Sequence, residues 1–144
     1  MKKFICMGIL VLMVVFSAVP AYAADGTKNE AKKGVITPQF TYISMLNPGL
    51  SINSSGKATC VGIVTLYDDS HSVDLTVSLQ KSTGSGWSTI KAWTVSGTGV
   101  AGAETEQYYY VVSGTYRVSA TAKVYNASGS LLETQTLYSA TVTY

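Results

Sequence analysis

Five aromatic side chains carry the most suggestive spacing in this 144-residue chain. Trp87 and Trp93 are separated by an even number of positions, which puts both on one face of a regular strand. Tyr108, Tyr109 and Tyr110 are consecutive, so on a strand at least one must turn away from a core. Flat rings with a polar tip make binding platforms for glycans or protein surfaces, and these five residues form the candidate binding set. The plainer reading of the same residues is strand propensity, because Trp and Tyr are ordinary β-formers.

Groups for acid–base or nucleophilic chemistry are sparse. The only histidine, His71, closes the polar turn Asp68-Asp69-Ser70-His71, with Asp74 just beyond. A catalytic triad needs a nucleophile, a base and an orienting group, and no Cys or marked Ser environment accompanies this histidine. A solvated turn histidine is the stronger reading, and a small secreted hydrolase using His71 with Asp68, Asp69 and Asp74 is the alternative. The same acids lack the spacing of a calcium loop. Glu104 and Glu106 share one strand face, whereas glycosidase chemistry needs two acids across a cleft. No catalytic residue, metal or cofactor is therefore expected.

The N-terminus speaks to the compartment. Lys2 and Lys3 precede an apolar run from Phe4 to Val19, and Pro20-Ala21-Tyr22-Ala23 supplies the small residues of a cleavage site. This three-part pattern predicts a signal peptide over residues 1–23, cut after Ala23, and hence a secreted protein. The run is shorter than the roughly 20 residues of a spanning helix, so no membrane association is expected after cleavage. The formal net charge of +2 resides in Lys2 and Lys3, which leaves the rest neutral. Neutrality gives no footing for nucleic acid as a partner; an unknown protein or glycan is the expectation, with the oligomeric state open. Cys6 leaves with the signal and Cys60 stays alone, so no intramolecular disulfide can form and a buried apolar thiol is expected.

Residues 24–37 are polar, charged and aperiodic, a flexible leader. From Pro38 to Tyr144 the elements that would carry the aromatic set all read as strands. Tyr116, Val118, Ala120, Ala122 and Val124 alternate with Thr115, Arg117, Ser119, Thr121 and Lys123, and Val73, Leu75, Val77 and Leu79 alternate with Asp74, Thr76, Ser78 and Gln80. A first strand over Phe40–Leu46 is expected to end at Asn47-Pro48-Gly49. Lys57–Tyr67 follows the turn Asn53-Ser54-Ser55-Gly56, and apolar Val61 and Ile63 on its second face predict either cover by neighbours or a bulge near Gly62. Trp87–Val95 and Glu104–Val112 are strands separated by a loop over Ser96–Ala103. Asn126-Ala127-Ser128-Gly129 is a tight turn before one or two last strands within Leu131–Tyr144, whose end could pair with another copy. Asn53 and Asn126 also match the N-glycosylation pattern, in turns where Asn is favoured anyway.

About seven strands with turns recurring every ten residues or so predict an all-β, antiparallel sandwich. The Gly-x-Tyr-x-Val of Gly114, Tyr116 and Val118 resembles the start of strand F in the immunoglobulin superfamily, where a tyrosine corner precedes the second disulfide cysteine. By that resemblance Tyr116 bonds the preceding corner, Val118 occupies the second cysteine position and Cys60 lies at or near the first. A divergent immunoglobulin-like or fibronectin-like domain is implied, because the second Cys and a Trp within Val73–Leu79 are missing. The layout from signal peptide through Gly56-Lys57-Ala58-Thr59-Cys60, Leu79-Gln80-Lys81 and Gly114-Thr115-Tyr116-Arg117-Val118 also resembles a family of short secreted Gram-positive bacterial proteins, a domain of unknown function. Together these predict a secreted, non-catalytic binding, adhesion or envelope-associated module.

Overall fold

Alternation of small apolar with hydroxyl-bearing residues favours the pleated, half-buried surface of a sheet. In the computed structural model, which describes residues 39–144, every regular element is a strand. The signal peptide expected over 1–23 and the leader over 24–37 lie outside the described residues. Eight strands follow in order: β1 (Ile43–Ile52), β2 (Lys57–Leu66), β3 (Ser72–Ser82), β4 (Trp87–Thr98), β5 (Ala103–Tyr110), β6 (Thr115–Tyr125), β7 (Leu131–Tyr138) and β8 (Val142–Thr143). They form two antiparallel sheets, one ordered β1-β2-β5 and one ordered β4-β3-β6-β7 with β8 beside the start of β6. The fold is an all-β sandwich, as the alternation predicts.

The two cleanest alternating segments lie side by side at the centre of the larger sheet. Val73, Leu75, Val77 and Leu79 from β3 and Tyr116, Val118, Ala120, Ala122 and Val124 from β6 are all buried, facing Ala58, Cys60, Val64 and Leu66 of β2. Burying each of the larger aliphatic chains contributes about 1.5–3 kcal/mol. Cys60 is fully buried and unpaired, and that burial pushes its thiol pKa up to about 11. The Tyr116 hydroxyl donates to the Val112 carbonyl at 2.6 Å, tying the start of β6 to the connection before it.

Two tight turns are built alike. Asn53 Oδ1 accepts from the backbone N–H groups of Ser55 and Lys57, and Asn126 Oδ1 from those of Ser128 and Ser130. Gly56 and Gly129 follow with φ of 77° and 82°, a left-handed conformation that a Cβ would strain.

Three expectations need correction. Asn47-Pro48-Gly49 does not end the first strand: β1 starts at Ile43 and runs through to Ile52, with Pro48 opposite Gly62. Proline is tolerated there because β1 is an edge strand, with one side of its backbone free of a ladder. Of the two outcomes expected for the second face of Lys57–Tyr67, cover by neighbours is the one found: β2 lies between β1 and β5, and both ladders pass Gly62 without a bulge. A Cβ on Gly62 would stand 2.2 Å from Val77 Cγ2, so the glycine leaves the space that Val77 of the facing sheet fills. The loop expected over Ser96–Ala103 shrinks to Gly99–Gly102, whose end glycines have φ of 67° and 62°. Finally, Leu79 pairs with Lys91 but Gln80 with Thr89, leaving Ile90 as an extra residue in β4. That bulge reverses the side-chain parity along β4.

Candidate functional site

The bulge at Ile90 separates the two tryptophans that even spacing would place together. Trp93 stands opposite inward-facing Val77 and packs half-buried against the core. Trp87 stands opposite Ser82 and so belongs to the outer face of the larger sheet. The tyrosines divide as well. Tyr108 and Tyr110 pair with Thr59 and Lys57 on the outer face of the smaller sheet, while Tyr109 pairs with inward-facing Ala58. All three are exposed, Tyr110 most of all. The five aromatics thus occupy separate surfaces, and none of the tyrosines meets either tryptophan on one face.

Tyr109 and Tyr110 line a cleft of about 290 Å³ together with Lys81, Ile90, Val111, Val112 and Tyr116. That volume sits at the bottom of the roughly 300–1,000 Å³ range of small-molecule sites. On the nearby outer face Lys57 Nζ lies 3.7 Å from the centroid of the Tyr108 ring. The Tyr108 hydroxyl donates to Glu106, and this hydrogen bond, reinforced by the carboxylate's charge, raises the Tyr108 pKa.

Trp87 finds different company. The Arg117 guanidinium, on β6, lies 4.3 Å from the Trp87 ring and 3.9 Å from the ring of Tyr138 on β7. Arg117 Nε donates to Gln80 Oε1 at 2.8 Å, and Gln80 Nε2 in turn donates to Thr89 Oγ1 at 3.3 Å. Strands β4, β3, β6 and β7 each contribute, so the arrangement exists only when the whole sheet is in register. Cation–π contacts of this kind contribute about 0.5–1 kcal/mol each at exposed sites. Charge, aromatic surface and a fixed guanidinium plane are concentrated in one patch, the composition typical of binding hot spots.

Beyond this patch the outer face is covered in hydroxyls. Thr94, Thr76, Thr121 and Thr136 form one cross-strand row, with hydrogen bonds of 3.0 Å between Thr76 and Thr94 and 2.8 Å between Thr121 and Thr136. Ser78 and Ser119 are paired in the next row, toward Arg117. Sequence reasoning missed Arg117 and Tyr138 as site residues. The available signal was the outward parity of Arg117, a cation beside Thr and Ser on the most regular strand, with Lys123 the other cation on that face of the strand.

The candidate catalytic groups are committed elsewhere. Asp68 accepts from the Ser70 N–H at 2.7 Å, and its hydrogen bonds with Ser70 hold the carboxyl below its usual range. Asp69 accepts from the Val100 N–H at 2.9 Å, bracing the β4–β5 turn, and Asp74 accepts from the Ser96 hydroxyl at 2.6 Å. His71 is half-buried instead of solvated, because its ring stacks edge-on against Tyr42 at 5.2 Å, and its enclosed Nδ1 makes no hydrogen bond to the described residues. Glu104 and Glu106 both face outward on β5, opposite Ile63 and Val61. Among the described residues no three His, Cys, Asp or Glu side chains come together as a metal-binding group.

No family model matches the chain, and no curated protein does. The solution structure of CsgH from R. palustris is similar over 69% of this chain and 92% of its own, at 21% identity and a TM-score of 0.32.

Proposed function

We propose that the protein is a secreted, non-catalytic β-sandwich module that binds a ligand at the cell envelope or beyond, through the outer face of the β4-β3-β6-β7 sheet. The observation that carries this reading is the Trp87–Arg117–Tyr138 stack, a rigid aromatic and cationic patch on an open face. Export is supported by the charged, apolar and small-residue pattern of residues 1–23. A non-catalytic role is supported by the use of Asp68, Asp69 and Asp74 as acceptors for turn and strand groups, and by a His71 Nδ1 without an acidic or nucleophilic partner among the described residues.

An immunoglobulin-like lineage of the fibronectin kind is part of the proposal. The strand order, the Tyr116 hydroxyl bond to Val112 and the burial of Cys60 and Val118 on facing strands support it. The resemblance to short secreted Gram-positive proteins points to the same setting. The test presents the exported chain to a panel of cell-wall glycans and surface proteins, beside Trp87→Ala and Tyr138→Ala variants checked for folding. Capture that falls with both variants is expected. No capture, or capture indifferent to both rings in folded protein, overturns the reading.

A further inference from the structure

We infer that the Trp87–Arg117–Tyr138 stack is a carboxylate-recognition site whose ligand is an acidic polysaccharide of the uronic type. The inference rests on the reading of this face as the binding surface and adds the chemistry of what it binds.

A guanidinium has five N–H donors in a fixed fork. In Arg117 the Nε–H is satisfied by Gln80, while the Nη groups make no hydrogen bond to the described residues. Among the described residues no acid neutralises it: Asp74, the acid at an outward register position on this face, already accepts from Ser96. It also lies six residues along β3 from Gln80, about 20 Å away. The charge is therefore flanked by two rings and one amide, with the four Nη N–H donors unpaired among the described residues. Planar bidentate pairing with a carboxylate is the interaction that this fork fits best. The guanidinium carbon lies 4.3 and 3.9 Å from the two ring centroids, and with the Gln80 hydrogen bond these contacts leave the side chain less freedom to lose on binding.

The surroundings choose among carboxylates. An acidic peptide would want pockets for side chains, and this face offers rows of hydroxyls instead: Thr76 with Thr94, and Thr121 with Thr136. Hydroxyls both donate and accept, which matches a polyhydroxylated chain lying across strands. Tyr138 remains 53% exposed beside the cation, leaving ring surface for the C–H face of a sugar. A uronic sugar combines these features, since its acid sits on a hydroxyl-bearing ring.

The test is calorimetric titration of the exported chain with trigalacturonic acid and with its methyl ester, in which each carboxylate charge is replaced by a small neutral ester. The acid is expected to bind and the ester to bind at least about tenfold more weakly, the size of a lost charge-assisted pair. Arg117→Lys keeps the charge but loses the fork, and is expected to weaken the acid by a similar factor. The acid-against-ester comparison needs no variant, so it holds even if Arg117→Lys fails to fold. Equal binding of acid and ester overturns the carboxylate assignment while leaving the face as a binding surface. Binding of a C-terminal peptide carboxylate through Arg117, without binding of trigalacturonate, overturns the glycan class. Failure of both sugars to bind overturns the inference, and the binding-module reading falls with it only if the wider panel also captures nothing.

Discussion

Glu133 offers a direct measure of how the segment before β1 is fastened. Its two carboxylate oxygens accept from the backbone N–H groups of Tyr42 at 2.8 Å and Thr41 at 3.3 Å, tying that segment to β7. Burial alone would raise its pKa, but the hydrogen bonds from Tyr42, Gln135, Thr41 and Ile43 outweigh it and pull the carboxyl below its usual value. Glu133→Gln leaves one side-chain oxygen for the Tyr42, Thr41 and Gln135 donors, so at least one backbone N–H loses its charged partner. Hydrogen bonds to charged groups contribute about 1.5–3 kcal/mol, and this site is open enough to water that about 1 kcal/mol is the expected loss. In a domain of this size that lowers Tm by about 4 °C or more. Folding lowers the Glu133 pKa, so its contribution is present in full above the ordinary glutamate range and is lost as pH falls through the lowered folded value. Urea melts of both proteins should therefore differ at neutral pH, and the gap should narrow as the pH falls below the usual glutamate range. Equal stability at neutral pH, or a gap that persists in acid, would refute the account of this carboxylate.

Two further changes test the core. Gly62→Ala drives a Cβ to within 2.2 Å of Val77 Cγ2 and should cost about 1–3 kcal/mol in denaturant melts, with Val77→Ala in the same chain recovering part of it. If the double variant is as unstable as the sum of the single changes, the two positions do not touch. Cys60, buried with its thiol pKa at about 11, should resist Ellman's reagent in native protein near pH 8 and react once unfolded. Reaction at the rate of a free thiol without unfolding would place it outside the core.

Legibility followed locality. The alternations of Val73–Leu79 and Tyr116–Val124 can be read without knowing any partner, because the period of two is a property of one strand, and both became the centre of the larger sheet. The Asn53 and Asn126 turns were legible for the same reason, since each side chain bonds its own next few residues. Pro48 misled because its meaning depends on whether the strand lies at an edge, which a sequence does not state. Trp87 and Trp93 misled because a bulge at Ile90 needs neither Gly nor Pro to announce it. The Arg117 stack was least legible, as it joins residues 87, 117 and 138 through the register of four strands.

The edges of the two sheets bear on why a face should be the surface that binds. A free strand edge invites pairing with another copy, and bulges, prolines and charges discourage it. β1 carries Pro48 and a register shift at Ser44, β4 carries the bulge at Ile90, and the β7–β8 edge is shifted at Leu132 and interrupted between Tyr138 and Val142. The remaining edge, β5, is regular but sets Glu104 and Glu106 in alternation, so a second β5 pairing in antiparallel register would bring carboxylates near one another. Irregularity is thus concentrated in the strands that end each sheet, while the Arg117 and Thr121 positions lie on β6, flanked by regular pairing to β3. A fold that disrupts its borders and keeps its middle in strict register can hold a multi-strand side-chain array in place without offering its backbone to a neighbour.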